Sequence, residues 1–331
     1  MTAPTSTIDP EIVLRELSEL WVSLAKQPGD GQGTGVLRAC AMTLIAVVDE
    51  SEDPASVSET LAELMHEHPS RAIVIRLSES RVPMLAARVV AQCWMPFGQR
   101  RQICCEQIEI TASDASVPDL PGVITPLTVP DLPVILWCRG SRVFELPDFP
   151  LLASVSQKVI VDSAAFPGSA RIVREIAGFM HAGRLVADLA WARLTRWREL
   201  IAQIFENRCY LAGLAQVRRV RVGFSGEARS SSAYYLAAWL LDSLEKAGSS
   251  ATLVWDAASE TAVSFESDAD GSCDVAIRTG EGASVEVRVN DMVTHAVFNP
   301  PSVYTLLREE LSLTGRDPVF EAALQRALTL I

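Results

Sequence analysis

The chain has 331 residues, 49% of them hydrophobic, which is enough apolar surface for two domains with separate cores. Its net charge of −12 and isoelectric point near 4.9 argue against a nucleic-acid backbone or an anionic membrane as the main partner, since both would repel the average surface. No apolar run approaches the roughly 18 residues of a membrane span, and the N-terminal Met-Thr-Ala-Pro stretch lacks the charged and apolar regions of a signal peptide, so a cytoplasmic protein is expected.

Apolar residues recur at helical spacing over Asp9–Lys26 (Ile12, Val13, Leu17, Leu20, Trp21, Leu24), with Asp9-Pro10 supplying an N-cap and a first helical position. The glycines at 29, 31, 33 and 35 are as dense as in a dinucleotide-binding loop, but they precede a strand and open no helix, which reads as a linker. Val36–Val48 reads as one long strand, Pro54–His66 as a helix and Arg71–Leu77 as a β-branched strand. This β-α-β order implies parallel pairing. Leu85–Trp94 and Arg101–Ile110 flank the Met95–Gly98 turn and read as a β-hairpin or as neighbouring strands.

Thr111–Pro118 reads as a polar turn, and the prolines at 121 and 126 leave little regular structure in Leu120–Leu127. Val134–Cys138 is an uninterrupted apolar run suited to a strand buried on both faces, and Lys158–Val161 is another short one. Ser169–His181 reads as a helix ended near Gly183. Asp188–Asn207 carries an apolar helical stripe interleaved with Arg193, Arg196 and Arg198, and is expected to bridge the two halves.

Val217–Phe224, Ala233–Ala247 and Ala251–Trp255 form a second strand-helix-strand unit. Val263–Glu266, Asp274–Thr279 and Val285–Val289 read as an antiparallel meander, followed by helices over Pro301–Ser312 and Asp317–Leu330. The expected fold is α/β in two domains, each a mixed β-sheet with flanking helices. Residues 1–185 form the first domain; residues 186–331 form the second, with the meander and the C-terminal helices.

Candidate chemistry is sparse. The loop Ser225, Gly226, Arg229, Ser230, Ser231, Ser232 joins a strand to a helix, so its amides and hydroxyls are a candidate anion site, although it has neither a P-loop lysine nor nucleophile-elbow spacing. His66-Glu67-His68 sits at a helix end with its imidazoles about 200° apart, which suits charge compensation better than a metal, and none is expected. Arg71 opens a strand and is read mainly as structural.

The seven cysteines, at 40, 93, 104, 105, 138, 209 and 273, include no Cys-x-x-Cys motif; most read as buried thiols in a reducing compartment. Cys104 and Cys105 are candidate redox thiols. As neighbours on one strand they point to opposite faces and do not suit a bond to each other, so structural thiols and an activity that survives reduction are expected; a pair of Cys93 with one of the two is sterically conceivable across the strands.

Six stretches carry a resemblance: Arg38-Ala39-Cys40, His68-Pro69-Ser70-Arg71-Ala72-Ile73, Cys104-Cys105-Glu106-Gln107-Ile108, Pro130-Asp131-Leu132-Pro133-Val134, Val161-Asp162-Ser163, and Asp188-Leu189-Ala190-Trp191-Ala192-Arg193-Leu194. In order and spacing they resemble the OpcA family, the assembly or activator proteins of glucose-6-phosphate dehydrogenase, over most of the chain. The resemblance implies a non-catalytic partner that binds the dehydrogenase and raises its activity in the oxidative pentose phosphate pathway, without a cofactor. It singles out His68, Pro69, Arg71, Glu106, Gln107, Asp131, Pro133, Asp162, Asp188, Trp191 and Arg193 as family-motif residues. A phosphosugar-binding α/β enzyme using Ser225–Ser232 and a cysteine nucleophile, or a pure scaffold, are the alternatives. Dehydrogenase rates with and without the protein separate activator from scaffold, and incubation with phosphosugars alone tests the enzyme.

Overall fold

The structure is a computed structural model describing residues 8–26, 36–94, 102–224, 228–257, 261–267, 275–280 and 282–331. Helix α1 (Pro10–Lys26) starts where the Asp9 carboxylate accepts from Glu11 N at 2.9 Å, and it buries Val13 and Leu17. Strands β1 (Val36–Arg38) and β2 (Met42–Asp49), helix α2 (Pro54–Leu64) and strands β3 (Ser70–Ser78), β4 (Leu85–Trp94) and β5 (Gln102–Ser113) follow. Then come α3 (Leu120–Leu127), β6 (Val134–Cys138), α4 (Phe149–Ala153), β7 (Lys158–Val161), α5 (Ser169–His181) and β8 (Leu185–Asp188).

These strands make one mixed sheet in the order β1-β5-β3-β2-β6-β7-β8, with β4 paired antiparallel to β5. The pairs β1 with β5, β5 with β3, β3 with β2, β2 with β6 and β6 with β7 are parallel. Strands β2, β3 and β6 are buried on both faces, which is why their sequences are nearly continuous apolar runs. Numbered without β1 and β4, the order is 3-2-1-4-5-6: a doubly wound sheet whose direction of winding reverses between β2 and β6.

The remaining elements are α6 (Leu189–Ala192), α7 (Thr195–Glu206), α8 (Arg208–Leu211), β9 (Val217–Phe224), α9 (Ser231–Lys246), β10 (Thr252–Ala257), β11 (Ala262–Ser267), β12 (Val275–Thr279), β13 (Ser284–Val289), β14 (Met292–Val297), α10 (Val303–Ser312) and α11 (Pro318–Leu328). A second mixed sheet runs β10-β9-β11-β12-β13-β14, parallel only at β10 with β9. Its alternating residues bury Val220, Val222, Val263, Phe265, Ile277 and Val287, and Phe205 of α7 meets the Phe265 ring edge-on at 5.3 Å. Arg219, Arg221 and Glu266 stand on the opposite, open face, where Arg219 Nε donates to Glu266 at 2.6 Å.

The chain therefore has two α/β domains, each built on a mixed sheet. Compact units are formed by residues 1–161, 184–186 and 307–312, and by residues 162–183, 187–306 and 313–331. The sequence groups α5 with the first half, but it packs on α11 and α9 in the second unit. The last part of α10 belongs to the first unit, where Lys158 Nζ donates to Glu310 O at 2.5 Å and pairs with the Glu310 carboxylate at 3.3 Å, both side chains buried.

Several expectations are corrected. Leu120–Leu127 is helical: Pro121 occupies the first turn, where no N–H is needed, and Leu120, Val123, Ile124 and Leu127 are buried. Val36–Val48 is two strands, because β1 pairs with β5 while β2 pairs with β3 and β6. β5 runs on to Ser113 before a 3-10 turn, Asp114–Asp119. Asp188–Asn207 is the end of β8 and two helices, Asp188 itself capping α6 by accepting from Ala190 N at 2.9 Å. The meander has a further strand, β14.

Cys104 is not a free thiol. The antiparallel register sets it opposite Cys93 with Cα atoms 4.1 Å apart, and the two form a disulfide. Which of the neighbouring cysteines bonds depends on the hairpin register, and spacing alone does not give that. Cys105, on the other face, is free and buried, and desolvation pushes its thiol up to about 11, so it is a poor nucleophile at neutral pH. The bond closes a loop of sequence separation 11. Reduction, or Cys93→Ser, is expected to lower unfolding stability by about 3 kcal/mol through chain entropy. Guanidinium titrations with and without dithiothreitol measure this; coincident midpoints would contradict it.

Candidate functional site

The winding reversal between β2 and β6 is where doubly wound sheets hold a dinucleotide, with a glycine-rich turn aiming helix amides at the pyrophosphate. Here the turn after β2 reads Asp49-Glu50-Ser51-Glu52-Asp53, with neither glycine nor cation. Asp53 caps α2, accepting from Ala55 N at 3.0 Å. Arg139, just past β6, is tied to Glu52 at 2.5 Å and to Ser56 Oγ at 2.8 Å. Gly140 lies so close that an added Cβ would sit 2.6 Å from Asp49 Oδ1 and 2.9 Å from Asp49 N. The donor set does not fit a dinucleotide: the carboxylates would repel a pyrophosphate and the nearby guanidinium is already engaged.

Of the family-motif residues of the first unit, Arg71 and Glu106 meet elsewhere on the same sheet. Glu106, 3% exposed on β5, accepts from Arg71 Nε at 2.5 Å and from Trp21 Nε1 at 2.7 Å, and it pairs with Arg38. Arg71 also donates to Leu127 O at 2.7 Å, and the Arg38 guanidinium lies 5.5 Å over the Trp21 ring. One carboxylate thus joins α1, β1, β3 and β5. Gln107 donates to Glu109 at 3.0 Å, and His68 Nε2 meets Arg308 O at 3.2 Å. Pro133 O accepts from Thr43 N at 2.9 Å, and Asp131 holds a left-handed turn at φ 64°. These contacts organise the fold; His68 Nε2 also lies 3.4 Å from Ser312 Oγ, a hydroxyl that donates to Arg308 O at 2.9 Å.

In the second unit one motif residue, Asp188, is a buried carboxylate that gathers four donors. Asp188, with no exposed surface, accepts from Ser163 N at 3.0 Å, Ala190 N at 2.9 Å and Tyr235 Oη at 2.8 Å, and from Ser163 Oγ. Those donors favour the charged form, but burial outweighs them and lifts the carboxyl to about 6. Next to it, Arg193 holds Asp162 through two parallel bonds, 2.5 and 2.7 Å, and stays firmly protonated because of them. Trp191 donates to Asp317 at 3.2 Å, carries the Arg198 guanidinium 3.6 Å above its ring, and packs against Phe320 and Tyr235. Asp317 in turn caps α11, accepting from Val319 N and Phe320 N at 3.0 Å.

Arg193 also lines a pocket of about 220 Å³ with Trp197, Ser230, Ser232, Leu236 and Thr261, at the N-terminus of α9. Ser230 Oγ caps that helix, accepting from Ala233 N at 3.2 Å, and the Arg229 guanidinium lies 4.7 Å over the Trp255 ring. Ser231 is buried, and its hydroxyl has no partner among the described residues. Ser225 and Gly226 lie outside the described residues. A second pocket of about 190 Å³ shares Arg193 and Trp197 and adds Arg196, Ser284, Phe298 and Asn299. The sequence missed Trp21 and Tyr235; the available signal was a hydroxyl or indole N–H within an apolar helical stripe, which when buried needs an acceptor.

Among the described residues no helix is long and apolar enough to cross a membrane. Residues 61–178 match the family model for the N-terminal domain of the glucose-6-phosphate dehydrogenase subunit, and residues 184–324 match the model for the C-terminal domain of that same protein. Proteins named as putative OxPP cycle protein OpcA are 26% identical over 194 residues in Synechocystis sp. and 28% identical over 186 residues in Nostoc punctiforme. Those alignments take in 58% and 55% of this chain but only 40% and 39% of the relatives' own lengths. Among solved structures, the 3-ketoreductase KijD10 of Actinomadura kijaniata aligns with TM-score 0.46 and 9% identity over 86% of this chain and 94% of that one. The biliverdin reductase of Synechocystis sp. aligns with TM-score 0.45 and 10% identity over 87% and 97%. Scores this low carry nothing about function.

Proposed function

Because the chain belongs to the OpcA family of glucose-6-phosphate dehydrogenase subunit proteins, we propose that it binds its host's glucose-6-phosphate dehydrogenase and raises that enzyme's activity without catalysing a reaction itself. The observation that carries this reading is that both halves of the chain match models of dehydrogenase subunit domains, in order. The chemistry of the side chains supports it. Asp188 is sealed from solvent, Cys105 and Cys138 are buried with their thiols pushed up by desolvation, and the winding-reversal turn repels phosphate.

Activation requires tighter binding to the active state of the dehydrogenase than to its inactive state. If glucose 6-phosphate favours the same state, linkage makes substrate and activator strengthen each other's binding. The pocket at the α9 N-terminus, lined by Arg193, Ser230 and Ser232, is the candidate place for a small anion to act on the complex. The test is a titration of the dehydrogenase with this protein at several glucose 6-phosphate concentrations. A rise in kcat or a fall in KM that saturates is expected. Constant kcat and KM despite binding would leave a scaffold, and turnover of phosphosugars by this protein alone would leave an enzyme.

A further inference from the structure

An exposed sheet edge pairs with further strands unless charge, proline, a bulge or a covering element prevents it. β14, Met292-Val-Thr-His-Ala-Val297, ends the second sheet, and among the described residues it pairs only with β13, in unbroken register. It contains no charged residue, proline or glycine, and Met292, Val293 and Val297 are 63%, 47% and 71% exposed. The other edge, β10, carries the exposed Asp256. On a chain of net charge −12, β14 is a neutral strip where a second negatively charged molecule meets the least repulsion.

The direction of the free backbone groups follows from the turn. Phe298 N donates to Ala283 O at 2.7 Å, so every second residue back from it, Ala296, Thr294 and Met292, turns its main chain toward β13. Val293, His295 and Val297 turn theirs outward. Their side chains share the open face with Arg288, Glu286 and Ser284, opposite which they are registered.

We propose that β14 pairs antiparallel with β14 of a second copy of this chain, about a two-fold axis through His295, joining two six-stranded sheets into one. That axis, perpendicular to the sheet, sets His295 opposite its counterpart and Val293 opposite Val297 of the other copy, twice. All of these are residues whose amides and carbonyls point outward, so each pair closes with two main-chain hydrogen bonds, and the side chains stay on the same face. Between them Thr294 faces Ala296, and the exposed valines cover each other. The opposing strands add no charge; in each copy Arg288 flanks Val293 and Glu286 flanks His295, the two paired with each other at 3.4 Å. A strand of this length buries less than the roughly 800 Å² per partner of a standard interface, which gives a dimer of micromolar affinity.

Sedimentation velocity of the whole chain, from low to high micromolar concentration, tests this. The weight-average mass is expected to rise from 35.9 kDa toward twice that value. His295→Pro removes an outward N–H that β13 does not use, and Val297→Lys places like charges beside the join; both are expected to stay monomeric with an unchanged far-UV spectrum. If His295→Pro loses that spectrum, Val297→Lys decides. In the wild type, amide exchange at Val293, His295 and Val297 is expected to slow with concentration, while exchange at Thr294 and Ala296 does not change. A wild type that stays monomeric throughout, variants that associate as it does, or association without protection of those three amides would each overturn the proposal. Protection by an extended peptide of another protein, in a chain that never self-associates, would assign the edge to an unlike partner instead.

Discussion

Glu106→Ala is expected to destabilise the first unit by about 3–5 kcal/mol, the range for breaking a buried ion pair from one side. The reason is asymmetry. Arg71 is 7% exposed and would lose its carboxylate, retaining among the described residues the Leu127 carbonyl as an acceptor. Trp21 Nε1 loses its acceptor too, so α1 loosens from the sheet. Glu106→Gln keeps the shape and one acceptor oxygen and is expected to cost less. The double change Arg71→Met/Glu106→Met, which removes both buried charges, is expected to recover much of the loss, since apolar replacement of a whole pair is often close to neutral. Urea midpoints of the three variants measure this. Equal losses in Glu106→Ala and the double variant would show that packing, not the stranded charge, sets the cost.

The second large effect is one of pH. Burial raises the Asp188 carboxyl from its ordinary value of 3.8 to about 6, so the folded chain binds this proton more tightly than the unfolded chain. The sign follows from linkage: the contribution is fully present below about pH 4 and is lost as pH rises through about 6. The loss amounts to about 3 kcal/mol at 1.36 kcal/mol per pK unit. Asp188→Asn is expected to flatten the stability profile between pH 4 and 6 relative to wild type, on the scale of the ordinary and raised values. It also introduces a donor among four donors and so lowers stability at every pH, by about 1–3 kcal/mol for the group left unsatisfied. Identical pH slopes in wild type and variant would assign the titration to another group.

Both clusters show where sequence reading stops. Runs such as Val134–Cys138, and the alternation of Val285, Val287 and Val289, reveal strands because burial on two faces or one is written directly into composition. The edge strand β14 was invisible: exposed on both faces, it has no alternation to read. α3 was hidden because proline counts as a breaker until its position within the helix is known. The motif residues Arg71, Glu106, Asp188 and Arg193 were legible as a set through the family resemblance, but their roles were not. Glu106 gathers partners from residues 21, 38 and 71, and Asp188 from residues 163 and 235, separations that no local pattern encodes. The Cys93–Cys104 bond falls in between: the hairpin put the partners within reach, and register chose between Cys104 and Cys105.

The interleaving of the two units bears on how the chain can be cut. A fragment ending anywhere before residue 307 lacks the stretch 307–312 that the first unit draws from the far end of the chain. Lys158, 5% exposed in the whole chain, would lose both the main-chain oxygen and the carboxylate of Glu310. A truncated N-terminal half would thus lack part of its own unit and the acceptors Lys158 uses, and its insolubility on expression would say nothing about whether that half can fold when complete. Supplying residues 303–312 as a separate peptide, or grafting them behind residue 186 through a flexible tether, restores the missing acceptors and makes the half a fair object for study.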